Sequence, residues 1–279
     1  MAAAPAPAPA PAPVRYERSV GTVSVRIGDR AGRPQLLEGY QHGAGRVRFP
    51  RAETGIEAMV LNTSGGLAAG DAFTQSAAAE AHTLTLSTQA CERVYRSAEG
   101  DPATVTQHYA AGPAATLRIL PQPTILFDRA ALERRTTVDI AKGATLTLVE
   151  GLVFGRAAMG ETVAAATVRE RLDLHHDGAL VYVDALRLTA ETFADAQNPA
   201  GLAGARATAL VLHVGRRTPA DAVDIMRAQT GEGVRIGASA VNGVAVARLL
   251  ASSHSALQGA LARIVQTLDG APVPRAWTL

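Results

Sequence analysis

Thr145–Glu161, TLTLVEGLVFGRAAMGE, is the stretch around which the rest of the chain is organised. It opens as a β-strand, with Thr145 and Thr147 set between the apolar Leu146, Leu148 and Val149. Glu150 then interrupts an apolar run that resumes with Leu152, Val153 and Phe154, before Gly155, Arg156, Met159, Gly160 and Glu161 close the segment. An ionised carboxylate inside a buried strand is costly unless it is paired or faces water. Two expectations follow: an internal ion pair with Arg156, the nearest cation, or a place on the wall of a wet cavity.

Working outward, the strand start recurs. Thr83–Leu86, Thr116–Ile119, Thr145–Leu148 and Leu180–Val183 are alike, and their second residues, Leu84, Leu117, Leu146 and Val181, are 33, 29 and 35 positions apart. β-units repeating at such spacing suit strands stacked in layers. The expected fold is therefore mainly β with a smaller α+β part: a layered, solenoid-like β body and two helices near the C-terminus. Before the repeats, Val14–Val25, Arg46–Phe49 and Glu57–Leu61 read as strands. Asn62–Asp71 carries three glycines and reads as a tight turn that fixes Asp71. Pro121 and Pro123 confine Leu120–Asp128 to a sheet edge or turn.

After about residue 190 the texture changes. Glu191–Arg206 reads as a connecting loop and Ala207–Val214 as a strand. Thr218-Pro219 opens a helix to about Gln229, as N-cap and first helical residue. Val234–Ala240 and Val244–Leu250 form a hairpin around Asn242-Gly243, and Ser252 or Ser253 caps a last helix over Ser255–Leu268. The expected division is an Ala/Pro arm at 1–13, a β-rich body at 14–190 and an α+β tail at 191–279 packed on it as one structural unit.

Composition narrows the function. Of 279 residues, 47% are hydrophobic but only 4% aromatic, and Lys plus Arg exceed Asp plus Glu by two, so stacking platforms and basic stripes for nucleic acid are missing. A single cysteine rules out internal disulfides and a Cys-type structural zinc site, and suits a cytosolic protein. The MAAAPAPAPAPAP start lacks the basic region of a signal peptide and reads as an extended polyproline-like arm; no apolar run reaches membrane-spanning length.

The common catalytic templates are also missing. There is no Gly-x-Ser-x-Gly elbow and no HExxH. Cys91 reads as a buried small hydrophobe in a strand, and His175-His176-Asp177-Gly178 as a solvated turn. What stands out is a set of acids: Asp71 after the glycine turn, Glu92 after the cysteine, Glu150, and Asp184 set in Leu180–Leu188 as Glu150 is set in its own strand. Arg156 and Arg187 follow closely and are the expected partners if these acids are structural. Oxygen ligands alone suit weak, exchanging sites for divalent ions. Used as acid and base, Glu150 and Asp184 would instead suit a carboxylate-dependent hydrolase or lyase.

Six blocks in order, Asn62–Asp71, Ser87–Ser97, Leu120–Asp128, Glu150–Glu161, Asp184–Leu188 and Gly237–Gly243, together resemble the UreD (UreH) family of urease accessory proteins. The likeness runs from Val14 to Trp277, with Pro123 standing where an acidic residue is expected. The resemblance implies a cytoplasmic, non-enzymatic scaffold that binds the urease apoprotein subunits, recruits UreF and UreG and helps nickel reach the urease active site. It implies no tightly bound cofactor, only transient nickel, and neither nucleic acid nor membrane as a partner. It implies that Asp71, Glu92, Glu150 and Asp184 line an internal nickel passage. Gly65, Gly66, Gly70, Tyr95, Arg96, Gly155, Arg156, Gly160 and Glu161 are the other motif residues.

Overall fold

The computed structural model describes residues 17–97 and 101–278, so the Ala/Pro arm lies outside the described residues. The chain enters through β1 (Val20–Arg30), turns back as β2 (Arg33–Gly43), and continues through β3 (Gly45–Arg48) and β4 (Ile56–Asn62). The expected start at Val14 lies outside the described residues, 17–19 precede the strand, and β2 is a strand that the sequence pattern did not suggest. Its alternation is absent because nearly all its residues are exposed, on both faces of the sheet.

Then come β5 (Ala72–Thr88), β6 (Arg93–Val94), β7 (Ala103–Leu120), β8 (Thr124–Leu126), β9 (Ala131–Ile140) and β10 (Thr145–Phe154). β5 and β7 are long because each bends through a corner and serves two ladders. Their first halves lie parallel between β1 and β9, and their second halves between β4 and β10. The corner falls at the register break after Ala79, where His82 takes a left-handed conformation (φ 65). A third, short parallel ladder joins β6, β8 and the end of β10. Three ladders joined by turns make a β-solenoid, with one apolar column inside each.

In the second ladder Ile56, Leu84, Leu117 and Leu146 are register partners in turn. Three of the four residues from the sequence repeat therefore stack as expected. Val181 does not, because its strand runs antiparallel at the far edge, and Ile56 holds the fourth place in the column. In the third ladder Leu67, Val94, Leu126 and Phe154 stack in the same way.

Antiparallel strands finish the open ends. β11 (Thr167–His176) pairs parallel with β9 and antiparallel with β12 (Ala179–Leu188). A four-residue helix, α1 (Phe193–Ala196), lies within the expected loop. β13 (Ala207–Val214) then adds antiparallel to β10 and is followed by α2 (Pro219–Arg227), the hairpin of β14 (Val234–Val241) and β15 (Val244–Ala251), and α3 (His254–Asp269). The Thr218 and Ser253 side chains accept the amides of Asp221 and Ala256, as the caps require.

A second core forms where α2 and α3 cover the outer side of β10, β13 and β15, with Val149, Val153, Val211, Leu257, Leu261 and Ile264 buried. Beneath α3 the ladder carries a polar column, Thr85, Arg118, Thr147 and His213. Arg118 Nε reaches Asp269 Oδ2 at 2.6 Å, and Thr147 Oγ1 donates to Asp269 Oδ1 at 2.5 Å. The end of α3 is thereby fastened to the sheet through a buried, fully partnered carboxylate.

Candidate functional site

Glu150 owes its position to a gap in the parallel ladders. β10 pairs with β7 over Thr145–Leu148 and with β8 over Leu152–Phe154. Between those spans β7 has ended, and Pro121 and Pro123 carry the chain across to Thr124, so Val149, Glu150 and Gly151 have no parallel partner on that side. A Cβ at Gly151 would lie 3.2 Å from the Pro123 ring, which makes this a place for glycine.

The gap opens into a cavity of about 240 Å³ whose lining includes Glu92, Gln107, Tyr109, Arg134 and Glu150. On the other side lies a cavity of about 510 Å³ lined by Glu150, Glu170, Asp184, Arg235 and Arg248. Glu150 is the residue common to both linings.

Two columns of the first ladder explain the polar lining. Gln75, Gln107 and Thr136 are consecutive register partners, all buried. Gln75 Nε2 donates to the Tyr109 hydroxyl, whose own ionisation burial pushes upward. Thr136 Oγ1 stands 2.6 Å from Glu150 Oε1 and 2.8 Å from Gln107 Oε1. A hydroxyl has one proton, so Thr136 satisfies both neighbours only when Gln107 presents its amide nitrogen or Glu150 is protonated.

In the neighbouring column Arg134 faces Glu170, and Arg134 Nη2 pairs with Glu170 Oε1 at 2.5 Å. Burial pushes the Glu170 carboxyl up to about 7 against the pull of Arg134, and the nearby Glu150 and Asp184 add to the rise. Glu170 was not singled out by sequence because it sits between Arg169 and Arg171 in a strand of ordinary polar alternation. The only signal was its register with Arg134, and register is a tertiary fact.

Asp184 lies opposite Leu172 on the inner side of β12. Its Oδ1 pairs with Arg248 of β15 and accepts the Tyr182 hydroxyl at 3.2 Å. Burial, then the adjacent carboxylate, push Tyr182 up to about 12. The expected local pairings do not form. Arg187 is three residues on and so points to the opposite side of the strand from Asp184. Arg156 follows Gly155, whose φ of 80 turns the chain away, and it pairs with Glu161 at 2.8 Å and lies 4.1 Å over the Phe127 ring.

Glu92 lines the smaller cavity, where its carboxylate accepts Asn62 Nδ2 at 3.1 Å and burial raises its pKa. Asp71 stands apart: its two carboxylate oxygens accept the backbone amides of Ser19 and Ala68, at 2.7 and 2.8 Å, and it lines neither cavity. The structure therefore brings Glu92, Glu150 and Asp184 to the two adjoining cavities and leaves Asp71 holding the turn.

Cys91 differs from its expected place as well. It lies outside any strand, is half-buried and lines the smaller cavity, with its sulfur 3.9 Å from His254 Nε2. The prolines and short ladder next to it leave a corner rather than a core position. His175 and His176 end β11 instead of lying in the turn, and His175 Nδ1 is 3.3 Å from Asp139 Oδ1.

The remaining motif residues build the third corner of the solenoid. A Cβ on Gly66 would lie 2.5 Å from the Tyr95 ring, and the Tyr95 hydroxyl donates to Gly65 O at 2.7 Å. Tyr95 packs edge-on against Phe127, beneath Arg156, while Glu161 accepts the amides of Asp128 and Arg156. Gly70 and Gly160 take left-handed turns, and Arg96 is exposed beside its bridge to Ala130.

Comparison with known proteins identifies the family. Residues 19–278 match the family model described as UreD urease accessory protein. A urease accessory protein UreD of Methylobacterium sp. (strain 4-46) is 41% identical over 271 residues, covering 94% of this chain and 96% of the relative. Those of Agrobacterium fabrum and Chelativorans sp. (strain BNC1) are 40% and 38% identical, over 95% and 94% of this chain and 93% and 95% of the relatives. With its length matched almost end to end, the chain belongs to the UreD family of urease accessory proteins.

Proposed function

We propose that this chain is a cytoplasmic, non-catalytic maturation scaffold that binds apo-urease, recruits UreF and UreG, and gives nickel an acid-lined route toward the urease active site. The observation that carries this reading is the position of Glu150 on the wall between two cavities, with Glu92 on one side and Glu170 and Asp184 on the other. Divalent nickel shed of part of its water needs oxygen donors in succession, each weak enough to let go. Carboxylates moderated by Arg134 and Arg248 meet that need, because each arginine lowers the net field that a dication would feel. Nickel is cargo here, passed on and not kept.

Glu150→Gln keeps the shape and the contact with Thr136 but removes the charge. In cells carrying the urease genes, this variant should lower urease activity and nickel per urease by at least about tenfold while still co-purifying with urease, UreF and UreG. Normal nickel loading by Glu150→Gln would overturn the route; loss of co-purification would point to a docking defect instead.

A further inference from the structure

β2 is an anomaly of the fold. Its ladder pairing is with β1, the Gln41 side chain accepts the Val47 amide at 3.1 Å, and no residue in it is buried, so among the described residues it offers an unpaired backbone edge and two largely exposed faces. Pro34 and a bulge that leaves Leu37 without a register partner blunt its first half, but Glu38–Gly43 is regular. Large apolar side chains are displayed rather than hidden: Tyr40 is 50% exposed, Phe49 43%, Leu37 42% and Leu36 37%. A long open edge with exposed apolar residues is a liability unless something covers it.

The charge of the same region says what kind of partner fits. Residues 26–53 contain six arginines and three acids, a net +3, whereas the whole chain carries only +2. Of the acids, Asp29 is taken by His82 and Glu38 by Arg26. Arg30, Arg33 and Arg51 have no acid within ion-pair distance among the described residues, and Arg46 and Arg48 donate only to backbone carbonyls. A second copy would bring the same positive edge and be repelled. A nucleic acid would satisfy the arginines but leave the backbone edge and Leu37 uncovered.

We infer that Glu38–Gly43 of β2 is a docking edge for an extended acidic segment of a partner protein, which adds as a further strand and lays its apolar side chains on Leu37 and Tyr40. Carboxylates on that segment meet Arg30, Arg33 and Arg51 at the rim, which steers the encounter and selects the partner. The inference is independent of the nickel route, since β2 lines neither cavity.

The test uses the full chain with three probes: a twelve-residue peptide alternating Glu and Val, its Lys–Val counterpart, and oligothymidylate of similar length. The Glu–Val peptide should bind at least about tenfold tighter than the Lys–Val peptide and slow amide exchange within residues 38–43. The variant R30E/R33E/R51E should weaken that binding by about tenfold or more, and Tyr40→Ser should weaken it without altering its salt dependence. Unfolding followed by Trp277 fluorescence checks that both variants fold. Equal binding of the two peptides, protection elsewhere than in β2, or tighter binding of oligothymidylate would each overturn the inference. So would a wild-type dimer that R30E/R33E/R51E dissociates, because a second copy would then be the occupant.

Discussion

At the scale of single residues, the acids divide by what surrounds them. Asp71 is saturated by two amides, Asp184 by Arg248 and Tyr182, and Glu150 by one hydroxyl, so Glu150 keeps the most freedom to exchange a ligand. Glu170 has the clearest pH signature. Its folded pKa of about 7 lies above the ordinary 4.5, so the native state holds a proton that the unfolded chain has released. Stability from this group is present below pH 4.5 and is lost as pH rises through about 7. Glu170→Gln should flatten that decline, measured by urea unfolding followed through Trp277, by at most about 1.4 kcal/mol per pH unit. An unchanged slope would assign the proton to another group. Arg118→Ala poses the opposite case. It strands the buried Asp269 carboxylate and the half-buried Pro272 O and should cost about 3–5 kcal/mol in the same assay. Glu150 was legible in the sequence because it breaks an apolar run. Glu170 was not, because nothing beside it in the chain reveals which strand it faces.

At the scale of elements, the local rules worked where the chain closes its own structure. The α2 cap and the β14–β15 hairpin came directly from Thr218-Pro219 and Asn242-Gly243, and the α3 cap from Ser252 or Ser253, of which the structure uses Ser253; each satisfies backbone groups within a few residues. Thr218→Ala and Ser253→Ala should each lower stability by about 1 kcal/mol, measured as a shift in the urea midpoint at constant slope. Parallel strands were legible only as starts. Leu84, Leu117 and Leu146 share a column, as their spacing suggested, yet Val181, with the same pattern, ends up on an antiparallel edge. A four-residue apolar alternation states that a strand exists and says nothing about its neighbour or direction.

At the scale of the whole molecule, the solenoid and the C-terminal region are continuous. β13 pairs with β10 along eight positions, and α3 covers Val149 and Val153 on its outer side. A chain ending at Leu188 would leave that ladder edge and that apolar surface bare. It should therefore aggregate or fail to show a single cooperative urea transition, checked by sedimentation and circular dichroism; a monomer with native-like cooperativity would show that the body folds alone. Trp277 Nε1 donates to Leu120 O at 3.1 Å, so the last turn of the chain returns to the strand end beside the Glu150 gap.

By itself the sequence determined the mainly β character, the stacked repeat, the capped C-terminal helices and the oddity of acids inside strands, because periodicity, capping and the cost of burying charge act over a few residues. Only the tertiary structure decided which acids meet. Glu92, Glu150, Glu170 and Asp184 come from four separate segments that line two adjoining cavities, and the arginines paired with Glu170 and Asp184 are Arg134 and Arg248, not the nearby Arg156 and Arg187. The physical reason is that a strand sends neighbouring side chains to opposite faces, so the nearest opposite charge for an inward acid lies on another strand, at a distance along the chain that no local rule encodes.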